Sequence, residues 1–138
     1  MPDRMMAGFE ERAHTADWAL AVWAPDLTSL LEQAARGMYA LMGLRLRPEP
    51  RVEFAFDVQA LDRESLLVSF LSELLYLGQQ AEAGFDTFDV QSIEGGIHAH
   101  VSGVPIESQA KEIKAVTYHN LTIHDTERGL ETTIVFDV

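Results

Sequence analysis

Three short motifs contain residue types that bind cations or carry fixed charge, although they are far apart in the sequence. HTAD spans His14 to Asp17, KAVTYH spans Lys114 to His119, and the sequence closes on Asp137 and Val138. The Asp137 side chain and the Val138 carboxylate offer adjacent oxygen atoms, which hard divalent cations such as Ca²⁺ and Mg²⁺ prefer as ligands. Because adjacent negative groups repel, a third acid from elsewhere and a cation between them would complete a useful site.

Each motif also has an ordinary structural interpretation. Thr15 and Asp17 are common turn residues, whose side chains bond to nearby backbone. Lys114 lies in a strand-like segment, where its methylenes can cover the edge of the core while its ammonium reaches water. Alternatively, Lys114 is a fixed cation beside acids or a phosphate. The final two residues of a chain are often frayed and solvated.

Other chemistry is weakly represented. His98 and His100 share one face of a predicted strand, but two ligands are too few for a typical zinc site, so we interpret them as ordinary surface histidines. The sequence contains no P-loop, G-x-S-x-G, H-E-x-x-H or dinucleotide-binding motif. These absences leave no recognisable catalytic fingerprint.

Composition narrows the class of protein. The 138 residues fit one domain over positions 1–138, and 47% of them are hydrophobic. Cysteine is absent, and we find neither a secretory signal nor an apolar run long enough for a membrane span, so we expect a cytoplasmic protein. The net charge of -12 should repel bare nucleic acid, so any role in RNA metabolism would run through a protein partner or a bridging cation.

Periodicity predicts the elements that must position these motifs. Residues 9–24 alternate as strand, and Asp26 can cap a helix whose apolar stripe runs from Leu27 to Met42. RVEFAFDVQAL predicts another strand, and Asp62 can cap a second helix. The second half predicts two hairpins, about residues 95–96 and 127–129. This order favours an α+β two-layer sandwich, with an antiparallel or mixed sheet and two helices packed on one face.

Taken in order, the motifs resemble those of one family, archease. The segments that carry the resemblance cover essentially the whole chain: HTADWAL, SLLEQAARGMYALM, DRESLLVSFLSELLYL, IKAVTYHNL and VFDV. The resemblance implies a small cytoplasmic, non-catalytic activator of the RtcB-type RNA ligase, which joins tRNA halves after intron removal. Such activators promote guanylylation of the ligase and help it through repeated turnovers.

The resemblance also implies a divalent-cation site, usually for Ca²⁺, with Mg²⁺ or Mn²⁺ as alternatives. The metal ligands that it implies are Asp17, Asp137 and Val138. Other functional residues that it implies are Lys114 of KAVTYH and His14 of HTAD, with Asp62 and Glu64 as weaker outer ligands. Trp18 departs from the smaller aliphatic residue common after HTAD, which affects the expected surface but not the ligands.

Two alternatives belong to other functional classes. The same acids could activate water in a metal-dependent hydrolase, although no base or substrate pocket can be identified in the sequence. The protein could also be a binding or chaperone-like module whose cation is purely structural.

Overall fold

The computed structural model describes residues 7–12 and 18–138. Within these ranges, nine strands and two helices follow one another along the chain: β1 (Gly8–Arg12), β2 (Trp18–Ala24), α1 (Leu27–Met42), β3 (Arg45–Leu46), β4 (Val52–Gln59), α2 (Arg63–Ala81), β5 (Ala83–Ile93), β6 (Gly96–Ser108), β7 (Ala115–Val116), β8 (His124–Thr126) and β9 (Gly129–Asp137).

A five-stranded antiparallel sheet is organised around β9. One edge of β9 pairs with β2 from Trp18 opposite Phe136 to Ala24 opposite Leu130, and β1 pairs with the far edge of β2. β8 pairs with the beginning of β9, and β7 pairs with its last residues. The last strand therefore holds together segments from both ends of the sequence.

A four-stranded antiparallel sheet is organised around β6. β4 pairs with its first eight residues, β5 pairs with most of its length, and β3 pairs near its end. The β5–β6 hairpin turns at Gly95, where a φ of 77° suits glycine. A register shift between Phe85 and Thr87 makes Asp86 an extra residue in β5.

Both helices begin and end with local hydrogen bonds. Asp26 caps α1 by accepting from the Ser29 amide at 2.9 Å, and Asp62 caps α2 by accepting from the Ser65 amide at 2.7 Å. α1 ends at Gly43 in the left-handed conformation, with a φ of 61°. The predicted caps and the predicted stop at Gly43 are confirmed.

The helices cover both sheets and bury a common core. α1 packs against β1, β2 and β5, whereas α2 packs against β4, β5 and β7. The most deeply buried side chains come from both helices and both sheets, among them Leu31, Met38, Phe70, Leu74, Ile97, Ile134 and Phe136. The predicted α+β sandwich with two helices is confirmed, and its strands divide between two antiparallel sheets. Neither helix is long and apolar enough to cross a membrane.

Two predicted strands are wrong in their extent. Residues 9–24 were predicted as one strand, but β1 and β2 are separate strands that pair antiparallel. Alternation over residues 113–126 suggested a continuous strand, but only β7 and β8, separated by a loop, are extended there. Asn120 adopts a left-handed φ of 51° in this loop, which interrupts the extended backbone, and both strands still run antiparallel to β9. Lys114 and Tyr118 are therefore not neighbours on one strand face.

Candidate functional site

The sequence closes on a backbone that is fixed rather than frayed. Asp137 is the last residue of β9, its Cα lies opposite that of Ala115, and its carbonyl accepts a hydrogen bond from the Lys114 amide at 2.7 Å. The Asp137 side chain is exposed, whereas Val138 is partly buried against the core. Sheet pairing thus holds one carboxylate in solvent at a defined position, and the interpretation as a frayed terminus is wrong.

The KAVTYH motif runs alongside β9 and is bound to it by backbone groups. Both the amide and the hydroxyl of Thr117 donate to the Val135 carbonyl, at 3.1 and 2.9 Å. The Lys114 side chain is exposed, and Tyr118 keeps 56% of its surface in solvent. The motif therefore presents a cation and an aromatic ring beside the end of β9, on a backbone fixed by hydrogen bonds.

The residue that follows the first motif, Trp18, lies at the same end of the sheet. His14 and Asp17 lie outside the described residues. Trp18 follows them directly in sequence and pairs with Phe136, the residue before Asp137. The Lys111 ammonium lies 3.7 Å from the centroid of a Trp18 ring, in a cation–π contact. Lys111 was not predicted as a residue of this region. The only hint in the sequence was Trp18, which departs from the smaller aliphatic residue common after HTAD.

Glu64 makes a structural contact in a different part of the molecule. Its carboxylate accepts from the Ile123 amide at 2.8 Å, while Arg63 donates to the Ile123 carbonyl at 3.0 Å. The preceding Thr122 carbonyl accepts from the Thr132 hydroxyl, which places this contact beside the first half of β9. Strands advance about 3.4 Å per residue, so Thr132 and Asp137 are roughly 17 Å apart along the strand. Asp62, the other weaker candidate, caps α2.

The donor set fits a hard cation only in part. Asp137 has a carboxylate of the kind that Ca²⁺ or Mg²⁺ prefers, and Val138 is the second predicted ligand. Across residues 7–12 and 18–138, no group of three or more histidine, aspartate or glutamate side chains could hold a metal ion. A cation bound here would therefore need a further ligand from outside those ranges. Asp17, which directly precedes Trp18 in the sequence, is such a residue.

The paired histidines of β6 face carboxylates. His98 Nδ1 lies 2.5 Å from Asp57, and His100 Nε2 lies 3.1 Å from Glu53. Each imidazole is half exposed and has a partner on the neighbouring strand. Their interpretation as ordinary surface histidines accounts for these contacts.

The fold and the site define a small α+β protein whose last strand presents an acidic side chain beside the KAVTYH motif. A sequence model described as the Archease protein family (MTH1598/TM1083) matches residues 9–138. The chain belongs to the archease family.

Named relatives support this assignment along nearly the whole chain. A protein archease from Methanosarcina mazei is 32% identical over 139 residues, covering 94% of this chain and 95% of the relative. One from Methanothermobacter thermautotrophicus is 29% identical over 140 residues, covering 96% of this chain and all of the relative.

Two solved structures share the fold. The solution structure of Methanobacterium thermoautotrophicum protein 1598 gives a TM-score of 0.66 at 28% identity, covering 95% of this chain and 99% of that one. The crystal structure of an archease from Thermotoga maritima, described there as a possible chaperone, gives a TM-score of 0.69 at 23% identity. That comparison covers 94% of this chain and 96% of the other and establishes similarity of fold.

Proposed function

We propose that this protein is a non-catalytic, cytoplasmic activator of an RtcB-type RNA ligase, and that it promotes ligase guanylylation and multiple turnover in tRNA splicing. Membership of the archease family supports the class of protein. The observation that carries the proposal is the exposed Asp137 side chain at the end of β9, where the backbone carbonyl of Asp137 accepts a hydrogen bond from the Lys114 amide at 2.7 Å. A solvent-facing acid on a hydrogen-bonded backbone is suited to bind a cation or to meet a partner.

The acidic end of the sheet is proposed to hold a divalent cation, with Ca²⁺ favoured over Mg²⁺ and Mn²⁺. Its ligands would be Asp17, Asp137 and Val138, the last through its terminal carboxylate or main-chain oxygen. Consecutive Cα atoms are about 3.8 Å apart across a trans peptide, so residues 17 and 137 are each one such step from the paired Trp18 and Phe136. The Asp17 and Asp137 side chains can therefore approach one another. His14 is a further candidate near this site.

The mechanism proposed for the partner effect is selective stabilisation. An activator lowers a barrier only when it binds the guanylylation-competent arrangement more tightly than the resting one. Lys114, Tyr118 and Asp137 would form the contact surface, since all three are exposed around the end of β9. A net charge of -12 suits a basic RNA-binding partner and would accelerate their encounter.

The test measures guanylylation of a cognate ligase with and without this protein. Asp17→Ala, Asp137→Ala and a variant extended beyond Val138 by several residues should keep the fold and lose stimulation. Asp89→Ala is a matched control, because Asp89 is also an exposed acid on a strand and lies in the four-stranded sheet. It should stimulate as the unaltered protein does. Normal rates with all three site variants would contradict the proposal.

A chaperone-like module with a purely structural cation is a second candidate. The partial burial of Val138 against the core favours it, because a cation there could fasten the last strand. In that case a chelator would lower the melting temperature, while ligase rates would not change as long as folded protein is supplied. An effect of the chelator on ligase stimulation at temperatures where the protein stays folded would support the activator instead.

A further inference from the structure

β4 lies at one edge of the four-stranded sheet, and in the described part of the chain no strand pairs with its second edge. It pairs with β6 along its whole length of eight residues, from Val52 to Gln59, without a register shift. Among the described residues, no backbone hydrogen bond joins its other side to a further segment. A strand with one open edge presents a row of backbone donors and acceptors to which another extended chain can pair.

The end of β4 shows which residues direct their backbone groups to the open edge. The amide of Ala60, directly after the strand, donates to the Gly95 carbonyl at 3.1 Å, so residue 60 faces β6. In an antiparallel ladder, successive residues face alternate edges. Four residues of β4 therefore face the open edge with their amides and carbonyls, and their side chains are exposed to solvent: Glu53, Ala55, Asp57 and Gln59.

The open edge of β4 lacks most of the features that protect sheet edges. Such edges are usually protected by bulges, proline, lysine or a covering element. β5, at the opposite edge of the same sheet, has its bulge at Asp86 and packs against α1. β4 has no bulge and contains no proline, glycine or lysine. The side chains on its inner face, Val52, Phe54 and Phe56, are only partly buried, so an added strand would cover apolar surface as well.

The charge of this edge favours a basic strand. Glu53 and Asp57 keep 63% and 58% of their side-chain surface in solvent, although they contact His100 and His98. A basic residue directly opposite either acid would form a favourable cross-strand pair, whereas an acidic residue there would be repelled. A second copy of β4 would bring further acids and no basic residue, so charge disfavours pairing between two copies of this strand.

We propose that the open edge of β4 binds an extended segment of a basic protein partner by antiparallel strand addition. A lysine or arginine would lie opposite Glu53 and another opposite Asp57. Aliphatic residues would lie opposite Phe54 and Phe56, and a residue of any type opposite Ala55. The recognised pattern is therefore basic, apolar, any, apolar, basic. This surface belongs to the other sheet from the candidate cation site and does not depend on the proposed action on a ligase.

The test uses three blocked peptides of seven residues. Acetyl-TKVTVKT-amide carries the pattern, acetyl-TEVTVET-amide reverses its charge, and acetyl-TKKTVVT-amide keeps its composition but loses the alternation. In titrations of the full chain followed by amide NMR, the first peptide should shift the amides of Glu53, Ala55 and Asp57 most and slow their hydrogen exchange. We expect it to bind at least about tenfold more tightly than the acidic peptide and at least about fivefold more tightly than the shuffled one.

Two sets of variants separate backbone pairing from charge. Ala55→Pro removes an amide that faces the open edge and keeps the bonds to β6, so binding should weaken at least about fivefold, whereas Ala55→Thr retains the amide and should retain binding. Glu53→Gln combined with Asp57→Asn should reduce the preference for the basic over the acidic peptide to below about threefold. Asp89→Asn combined with Glu94→Gln is the matched control, since both acids are exposed in the β5–β6 hairpin, and should leave that preference unchanged.

Four results would overturn the proposal. The first is equal binding of the patterned peptide and either comparison peptide. The second is undiminished binding to Ala55→Pro, and if this variant does not fold, an unchanged charge preference in the variant of Glu53 and Asp57 decides instead. The third is the absence of shifts in β4 at roughly 5 mM peptide, a concentration that would fill most of a millimolar site. The fourth is a dimer in sedimentation that Ala55→Pro dissociates, because the edge would then belong to a second copy of this chain.

Discussion

The two sheets of this protein differ in how continuous their strands are. The four-stranded sheet is built on β5 and β6, strands of 11 and 13 residues joined by a tight turn. In the five-stranded sheet, one edge of β9 is covered by two fragments, β7 with two residues and β8 with three. The loop between the fragments carries half of KAVTYH, including the exposed Tyr118.

The regular sheet and the interrupted sheet also differ in how their exposed polar side chains are used. Along β6, exposed polar side chains pair with partners on the neighbouring strand, as His98 does with Asp57 of β4. Along β9, backbone bonds from Lys114 and Thr117 hold the motif, and the side chains of Lys114 and Tyr118 are exposed to solvent. Interrupted strands on a rigid support are a common place for binding residues, because loops can present side chains that a regular sheet would pair.

The largest expected effect contrasts two adjacent residues of β9. Phe136 is fully buried, whereas Asp137 is exposed. Phe136→Ala should lower the free energy of unfolding by about 3–5 kcal/mol, because it removes a large core side chain and leaves a cavity. Asp137→Ala should change it by less than about 0.5 kcal/mol without added metal, although it removes the proposed ligand. Urea denaturation in the presence of a chelator measures both.

The control for this contrast is Val135→Ala, at a buried aliphatic position in the same strand, which should give an intermediate loss. A loss of several kcal/mol from Asp137→Ala under these conditions would show that the acidic end stabilises the fold directly. Asp137 would then be a stabilising residue like Phe136, rather than an exposed residue that serves only the site.

Sequence patterns predicted the regular parts of this molecule well. The helix caps at Asp26 and Asp62 and the turn at Gly95 follow from local rules, since each depends on a few neighbouring residues. The motif segment was harder, because its alternation is typical of a strand. Its loop depends on long-range bonds from Glu64 and Thr117 and on the left-handed Asn120.

The candidate site was predictable only as a set of residues. Residue type and the family resemblance singled out Asp137 and Lys114, but not the hydrogen bond between their backbones, which depends on sheet register. Asp17 and His14 stay predictions, since they lie outside the described residues.

A smaller effect tests what holds the interrupted region in place. Glu64→Ala should lower the free energy of unfolding by about 1.5 kcal/mol, because the partly buried Ile123 amide loses a charged acceptor. Amide hydrogen exchange should accelerate in residues 117–123 more than in β5 and β6. Glu64→Gln is the informative control, since its carbonyl oxygen can still accept from Ile123.

The two Glu64 variants also distinguish a tether from an outer metal ligand. A tether predicts that Glu64→Gln keeps both slow exchange and ligase stimulation. If Glu64→Gln keeps slow exchange but loses stimulation in a metal-dependent way, Glu64 acts on the cation as the family resemblance implies. Glu64 would then have to influence the end of β9 from a distance, although it contacts only the loop beside the first half of that strand.

The smallest expected effect lies at the irregular point of the long hairpin. Asp86, the extra residue of β5, receives two hydrogen bonds from Arg51, at 2.8 and 3.1 Å. These bonds lower the pKa of Asp86 below its ordinary 3.8. The pair should therefore contribute its full stability above the unfolded-state pKa and lose it as pH falls through the folded-state value. Both side chains are partly exposed, so Asp86→Asn should cost only about 0.5 kcal/mol at neutral pH.

Urea denaturation between pH 7 and about pH 3 should show the difference between Asp86→Asn and the unaltered protein shrinking with acid. A difference that stays constant with pH would show that Asp86 fixes the bulge through its shape and neutral hydrogen bonds rather than through its charge.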